Sequence, residues 1–252
     1  MIITIQHKGK TYSTNLNEPL DLSIPLTTGT HNVNAWYSPP VRIEPVVMGD
    51  WVGDVKRGGS VNFRNVFLNP HGNGTHTECV GHISKENYTL NQHLKTFFFL
   101  AEVITIAPEK VDGDLIITKQ QIEKSCRHSN TEALIIRTVP NKAEKLTHHY
   151  SNTNPAYLHH EAATWMVENG IKHLLLDLPS VDREKDDGKL LAHHAFWQYP
   201  HTTRLDCTIT ELIYVHDQIA DGLYLLNIQI TALENDASPS KPVLYHLVDV
   251  GG

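Results

Sequence analysis

Hydrophobic residues along the chain fall into short apolar runs that predict several buried strands. Five runs are rich in branched or aromatic residues, a pattern typical of strands with both faces covered. They span residues 97–106, 133–139, 173–178, 207–215 and 223–232. Segments 37–42 ("YSPPVR") and 69–74 ("NPHGNG") interrupt this pattern with Pro and Gly, and they predict loops.

Helical periodicity is clearest over residues 155–169, and Gly170 follows where a C-terminal cap is expected. A second helix is predicted to begin at Thr118, whose hydroxyl can form a capping box with Gln121. Strands and helices in this order indicate an α/β or mixed α+β protein, although periodicity alone does not fix the topology. The apolar stripe of the first helix consists of Leu158, Ala162, Trp165 and Met166.

Length and charge narrow the classes of function. A chain of 252 residues with 40% hydrophobic and 19% charged residues is expected to fold as one domain spanning residues 1–252. The net charge of −7 and the lack of a basic run argue against a nucleic-acid partner. The most apolar stretch, residues 96–107, contains Glu102 and is too short to cross a bilayer. Because the N-terminus also lacks the apolar core of a signal peptide, we expect a soluble cytoplasmic protein without a membrane partner.

Histidine is the outlier in the composition. The chain contains 17 histidines but three well-separated cysteines, and it has no C-x-x-C pair. The cysteines are therefore expected to be reduced thiols rather than disulfides or ligands of a structural zinc. Imidazole is the commonest protein ligand for transition metals, so a metal site is the first hypothesis.

The segment "HGNGTHTECVGH", residues 71–82, concentrates this chemistry. If residues 76–82 are extended, alternation points His76, Glu78 and His82 to one face. Two imidazoles and a carboxylate suit a catalytic zinc or manganese site. His71 is an odd number of residues from His76, so it joins this face only if a bulge or a positive φ at Gly72 or Gly74 redirects the chain. The alternative interpretation is a set of surface histidines in a polar loop.

Several motifs resemble, in the right order, those of the cyclase family of metal-dependent hydrolases, which includes bacterial kynurenine formamidase and isatin hydrolase. "GTHTECVGH" resembles the family signature H-x-G-T-H-x-D-x-P-x-H. "YLHHEAATWMVENGIKHLLLDLPSVD" resembles a helix with E-A-A-x-W-L followed by a strand that ends in D-x-P-S-x-D. "LAHHAFW" and "TITELIYV" resemble the closing elements, and "LDLSIPL" and "NAWYSPP" resemble the opening ones. The resemblance implies a cyclase-type domain with a mixed β-sheet core and flanking helices.

The resemblance also implies roles for individual residues. His76 would be a metal ligand, and Glu78 stands at the position of a bridging aspartate. His82 would donate and accept protons, while His193 and Glu211 would hold a second ion. Trp36 matches a position that contacts an aromatic substrate.

Three positions depart from the family pattern. Gly72 stands at the position of the first family histidine, which leaves His71 as the candidate ligand, and Val80 replaces a proline. Glu78 carries one more methylene than aspartate. His194 adjoins His193, and alternation lets one of the two face a metal if this stretch is extended; the spacing to "AFW" favours His193. Because histidine and carboxylate ligands suit both metals, the cofactor is expected to be zinc or manganese, with one or two ions per chain.

The predicted activity is metal-dependent hydrolysis of an amide, formamide or cyclic-amide bond in a small, aromatic compound. The sequence contains no G-x-S-x-G elbow, no phosphate-binding P-loop and no G-x-G-x-x-G fingerprint, so serine-hydrolase and nucleotide-dependent chemistry lose most of their support. Two alternatives stay open: a non-catalytic protein that binds a small molecule, and a hydrolase of lactones or other esters. The resemblance implies a homodimer or homotetramer.

Overall fold

Strands dominate the structure, a computed structural model that describes residues 1–129 and 131–251. The strands are β1 (Ile2–His7), β2 (Lys10–Asn15), β3 (Leu20–Asp21), β4 (Arg42–Pro45), β5 (Val47–Met48), β6 (Trp51–Val52), β7 (Arg64–Phe67), β8 (His76–Glu78), β9 (Phe98–Ile106), β10 (Glu109–Val111), β11 (Asp114–Ile117), β12 (Ala133–Thr138), β13 (Tyr157–Leu158), β14 (His173–Leu176), β15 (Thr208–Glu211), β16 (Gly222–Ile230), β17 (Ala237–His246) and β18 (Val248–Asp249). The helices are α1 (Leu90–His93), α2 (Lys119–Ser125), α3 (His160–Glu168) and α4 (Leu191–Trp197), with 3₁₀ turns at Val55–Arg57, Val80–His82 and Ala143–Leu146.

The central sheet closes on itself as a barrel. Its strand order is β16-β9-β12-β14-β15-β8-β17, and β17 pairs back with β16. Strands β9, β12, β14 and β15 are parallel, whereas β8, β16 and β17 pair antiparallel with their neighbours. The short β3 adds a further antiparallel pairing to β17. The mixed β-sheet core with flanking helices is thus confirmed, and closure removes most of the exposed edges that an open sheet would have.

All five predicted strands are present, as β9, β12, β14, β15 and β16. The prediction of a strand over 207–215 was too long, because β15 ends at Glu211 and Leu212 takes a left-handed conformation with φ of 52°. Leu212 then donates its N–H to Leu178 O instead of continuing the ladder. Strand β17 was missed because Pro239 and Pro242 interrupt its apolar pattern.

Alternate residues of the barrel strands pack in two different cores, which explains their continuous hydrophobicity. Phe99, Ala101 and Val103 of β9 belong to the cluster inside the barrel. Ile104 and Ile106 of the same strand pack in a second cluster against the helices outside. A strand buried on both faces cannot show polar alternation.

Helix α3 is shorter than predicted. It begins at His160 and not at residue 155, because Tyr157 and Leu158 form β13, which pairs in parallel with β11. Leu158 is buried in the same outer cluster as the helix, so its apolar side chain fits either conformation. The predicted C-terminal signal is confirmed, since Gly170 follows the cap with φ of 78°.

Helix α2 begins as predicted. The Thr118 hydroxyl accepts a hydrogen bond from Gln121 N at 3.3 Å, and the Gln121 side chain accepts one from Thr118 N at 3.1 Å. This capping box satisfies two backbone donors that a helix start leaves unpaired.

Two smaller sheets lie beside the barrel. The first joins β1 and β2 to β18 near the C-terminus, and the second joins β10, β11 and β13. An arm over residues 42–67, built from the hairpins β4–β7 and β5–β6, leads towards His71 and exposes many apolar side chains. None of the described helices is long and apolar enough to cross a membrane.

Buried His173 makes the stability of this fold sensitive to acid. Its ring contacts that of Phe99, with centroids 3.8 Å apart and planes tilted by 38°, and its Nδ1 lies 2.9 Å from the Thr208 hydroxyl. Burial lowers the pKa of His173 from 6.5 to about 3. Between these values the unfolded chain binds the proton and the folded one does not, so this contribution to stability is full above pH 6.5 and is lost as the pH falls towards 3.

We therefore expect His173→Gln to have a smaller acid sensitivity than the wild type. The difference in free energy of unfolding between the two proteins should shrink from pH 7 to pH 5, by at most about 1.4 kcal/mol per pH unit. Urea unfolding followed by circular dichroism at each pH measures it. His201→Gln, at an exposed position, is the control and should follow the wild type. A difference that is the same at pH 5 and pH 7 contradicts the assignment.

Candidate active site

Strand β8 positions the first two candidate residues. The alternation of the strand places His76 and Glu78 on one side, and both are fully buried. On the other side, the Thr77 hydroxyl lies 2.8 Å from that of Thr210 in β15. Nδ1 of His76 lies 2.9 Å from the Gly74 carbonyl oxygen and so acts as the donor, which leaves Nε2 as the nitrogen that faces the site.

A turn, and not an extended strand, brings the side chain of His82 close to Glu78. The expectation that residues 76–82 are extended is wrong beyond Glu78, because Val80–His82 form a 3₁₀ turn. The turn still brings His82 Nδ1 to 3.8 Å from Glu78 Oε2. His82 is partly exposed, so it lies at the rim of the cluster, whereas Glu78 lies at its centre.

His71 reaches the same cluster from the preceding loop. Its Nδ1 lies 3.1 Å from Glu78 Oε2, and its ring centroid is 5.3 Å from that of His76. Between the two histidines, Gly74 takes a φ of 115°, a conformation that suits glycine. The redirection of the chain proposed for Gly72 or Gly74 is therefore present at Gly74.

Helix α4 supplies His193. The stretch around it is helical, so the expected choice between two faces of a strand does not apply, but the two adjacent histidines still separate. His193 is buried, with Nε2 3.2 Å from Glu78 Oε1. His194 points elsewhere, with Nδ1 3.0 Å from the Tyr199 carbonyl oxygen.

Glu211 closes the cluster at the end of β15. The register pairs Glu211 with His76, and its Oε2 lies 3.5 Å from His76 Nε2. Its Oε1 accepts a hydrogen bond from Val181 N at 3.0 Å and lies 4.0 Å from His193 Nε2. The structure thus brings His71, His76, Glu78, His82, His193 and Glu211 together in one place.

Trp36 lies outside this cluster, on an adjoining loop. It has a φ of 57° and is exposed to 37%. Its neighbour Ala35 donates its N–H to the Gly72 carbonyl oxygen at 2.9 Å. A backbone hydrogen bond therefore joins the loop of Trp36 to the loop that carries His71.

Two aspartates that sequence reasoning missed complete the site. Asp182 Oδ2 lies 2.6 Å from His193 Nδ1, and Asp236 Oδ2 lies 2.8 Å from His71 Nε2. Asp182 ends the motif "DLPSVD", whose position in the sequence could have indicated this role. Asp236 precedes β17 in a segment with no recognisable motif. Asp177, which begins the same motif, accepts hydrogen bonds from Thr138 and Lys145.

The donor atoms fit a bound cation. Among residues 1–129 and 131–251, His76 Nε2 and Glu78 Oε2 are buried without a hydrogen bond of acceptable geometry, although Oε2 lies close to His71. Buried polar atoms normally have a hydrogen-bond partner. Two buried acceptor atoms without one, in the same group of possible ligands, therefore suit a metal ion. Three overlapping sets place one ligand atom per residue within 4.8 Å of one another: His71, His76 and Glu78; Glu78, His82 and His193; and His71, His82 and Asp236.

The electrostatics of the cluster place positive charge around buried carboxylates. Burial lowers the pKa of His71, but hydrogen bonds with Asp236 and Glu78 outweigh it and raise the pKa to about 10. Burial likewise opposes protonation of His193, while Asp182 and Glu78 raise its pKa to about 10. Burial raises the pKa of Glu78, but His82, His193 and His71 together hold it well below its usual value. These shifts favour protonated imidazoles around Glu78, and a bound cation could supply the same positive charge.

Comparison with known proteins places this arrangement in a family. A family model with the description "Putative cyclase" matches residues 20–183. Kynurenine formamidase of Bacillus thuringiensis (strain Al Hakam) is 27% identical over 191 residues, which cover 74% of this chain and 81% of that protein. A solved structure described as a potential metal-dependent hydrolase with cyclase activity has a TM-score of 0.65 at 14% identity and covers 90% of this chain and 97% of its own.

Isatin hydrolase A from Labrenzia aggregata, solved with benzyl benzoate, also has a TM-score of 0.65 at 14% identity, over 90% of this chain and 93% of its own. At such identity these structures show the fold alone. The family match includes His71, His76, Glu78, His82 and Asp182 and extends over more than half of the chain. The chain therefore belongs to the cyclase family.

Proposed function

We propose that this protein is a metal-dependent hydrolase that cleaves an amide, formamide or cyclic-amide C–N bond of a small aromatic compound. The observation that carries the proposal is the convergence of imidazole and carboxylate groups from residues 71–82, helix α4 and strand β15, with buried acceptors unpartnered among the described residues. The names of its relatives support the same chemistry, since a kynurenine formamidase and an isatin hydrolase both act on nitrogen-containing aromatic compounds.

Two neighbouring cation positions are compatible with the donor atoms. The first would use His71, His76 and Glu78, whose ligand atoms already lie within 4.8 Å of one another. The second would use His193 and Glu211 and share Glu78, because Oε1 of Glu78 lies 3.2 Å from His193 Nε2 while Oε2 lies 3.1 Å from His71 Nδ1. The longer side chain of Glu78 therefore reaches both sides. Nitrogen and oxygen donors suit zinc and manganese alike.

When bound, a divalent ion supplies Lewis acidity towards a carbonyl oxygen and makes solvent water more acidic. The chain's own residues then handle the protons. His82 lies at the rim of the site with Nδ1 towards Glu78 and Asp236, at 3.8 and 3.5 Å, so its Nε2 is the nitrogen available for exchange. We assign to His82 the uptake of a proton from the attacking water and its delivery to the leaving nitrogen.

Trp36 is proposed as a substrate contact because its loop is fastened to that of His71 through the Ala35–Gly72 hydrogen bond. An indole at this place can stack on a flat ring.

A substrate panel tests the proposed activity. Full-length protein should be assayed on the formyl amide of kynurenine, isatin and an aromatic lactone. Preference for the lactone would support the ester-hydrolase alternative.

Metal content tests the ligand set. Protein stripped with a chelator and reloaded with Zn²⁺ or Mn²⁺ should retain one or two ions per chain after dialysis, as measured by elemental analysis. His193→Ala should lower this content because it removes a donor that faces Glu78. His194→Ala is the matched control on the same helix and should leave the content unchanged. Equal metal content in His193→Ala and the wild type would contradict the assignment.

The role of His82 is tested by His82→Ala. We expect kcat/KM on the best substrate of the panel to fall by about 10²- to 10⁴-fold, which is the usual contribution of a positioned acid or base. Metal content should be close to that of the wild type, because the proposed cation positions do not use His82. Undiminished turnover in this variant would rule out the assigned role. A wild type that binds metal but hydrolyses no member of the panel would favour the alternative of a non-catalytic binding protein.

A further inference from the structure

Asp236 lies against the candidate site although it is far from the other site residues in sequence. It ends the loop between β16 and β17, and its backbone carbonyl accepts a hydrogen bond from Cys79 N at 3.0 Å. This bond fastens the loop directly after Glu78. The carboxylate is then held next to two histidines, with Oδ2 2.8 Å from His71 Nε2 and 3.5 Å from His82 Nδ1.

The contact between Asp236 and His71 repeats the arrangement on the opposite side of Glu78. There, His193 uses Nδ1 to contact Asp182 at 2.6 Å and presents Nε2 to Glu78 at 3.2 Å. His71 reverses the two nitrogens, because Nε2 contacts Asp236 at 2.8 Å and Nδ1 faces Glu78 at 3.1 Å. In each pair, a carboxylate on the outer nitrogen can hold a proton there, so that the lone pair of the inner nitrogen would point to the site once a cation replaces the proton on that nitrogen.

We infer that Asp236 is a positioning residue of the active site, which fixes His71 as an Nε2–H tautomer with Nδ1 directed at the metal position and restrains the ring of His82. This inference deepens the proposed function and rests on it. It adds to the site a residue of the loop between β16 and β17, which lies outside residues 20–183, the portion that the family model matches.

The same carboxylate oxygen connects a ligand histidine with the proposed acid and base. The rings of His71 and His82 are tilted by 31° with centroids 4.3 Å apart, and Asp236 Oδ2 is within 3.5 Å of a nitrogen of each. Removal of the carboxylate should therefore weaken metal binding through His71 and slow proton transfer through His82. A residue that only stabilised the loop would not produce both effects while the fold stays intact.

The affinity of the chelator-stripped, full-length protein for Zn²⁺ tests this inference. Asp236→Ala should weaken Zn²⁺ binding by about 10- to 100-fold, the usual effect of removing a carboxylate behind a ligand histidine. Asp236→Asn keeps an acceptor oxygen of similar shape and should lie between Asp236→Ala and the wild type. Titration against a competing chelator measures all three. The ¹⁵N NMR signals of the Zn²⁺-loaded protein should report the Nε2–H tautomer of His71 in the wild type and its loss in Asp236→Ala.

Glu234→Gln is the matched control in the same loop. Glu234 accepts hydrogen bonds from Thr89, Asn91 and Gln92 and makes none to the site histidines. Its substitution should leave the affinity for Zn²⁺ and the His71 tautomer unchanged. If Asp236→Ala does not fold by circular dichroism, the near-isosteric Asp236→Asn decides the question alone, with a weaker affinity expected.

The outcomes separate this inference from the function on which it rests. Affinity and tautomer equal to the wild type in both Asp236 variants would overturn the role of Asp236 and leave the metal-dependent hydrolase standing. A wild type that binds no Zn²⁺ would overturn both. Weaker binding in Glu234→Gln, by as much as in Asp236→Ala, would reduce the effect to loop stability and overturn the positioning role.

Discussion

The structure of the site depends on the compensation of one buried carboxylate. Glu78 has no exposed surface, and burial of an isolated negative charge is costly unless positive charge or hydrogen-bond donors surround it. His71, His82 and His193 each place a ring nitrogen within 3.8 Å of its oxygens. The loop before β8, the turn after it and helix α4 must therefore all meet at this point, and a cation can take over the charge that imidazole protons otherwise supply.

The closed barrel makes this meeting possible. Strand β8 contains three residues, yet it connects β15 to β17 and so completes the ring of strands. The strand that closes the barrel is also the one that carries His76 and Glu78. Glu211 is placed opposite His76 by the same ladder that holds the barrel together, so the geometry of these donors is inherited from the backbone hydrogen bonds of the sheet.

The sequence predicted correctly those elements that depend on residues close to one another in the chain. The buried strands and the capping box at Thr118 follow from apolar runs and from a spacing of three residues, and both are present. The start of α3 was misplaced because Leu158 is buried equally well in a short strand. Asp236 could not be predicted, since its contacts with His71 and His82 exist only after β16 and β17 have been added to the barrel.

For the candidate site too, local motifs could be found from the sequence, and features that depend on tertiary contacts could not. His76, Glu78, His82, His193 and Glu211 belong to motifs and were named from the sequence, whereas the conformation that brings them together was predicted poorly. The strand was expected to continue to residue 82, and the stretch with His193 was considered as extended. A 3₁₀ turn instead carries His82, and a helix carries His193. The helix begins where Ala192 N and His193 N donate to the Asp182 carboxylate, and the turn follows Cys79, whose N–H donates to the Asp236 carbonyl oxygen. Neither contact can be read from the local sequence.

The close approach at Gly72 has a consequence for how such a protein can change over time. A Cβ atom at this position would overlap the Ser38 side chain and lie 2.8 Å from the Ala35 carbonyl oxygen, so no other residue fits without moving the loop of Trp36. Remodelling that loop to accept a differently shaped compound would displace His71 as well. Under the proposed function, a change of selectivity at this edge is thereby coupled to metal binding, and variants that alter one without the other are expected at residues that do not contact Gly72.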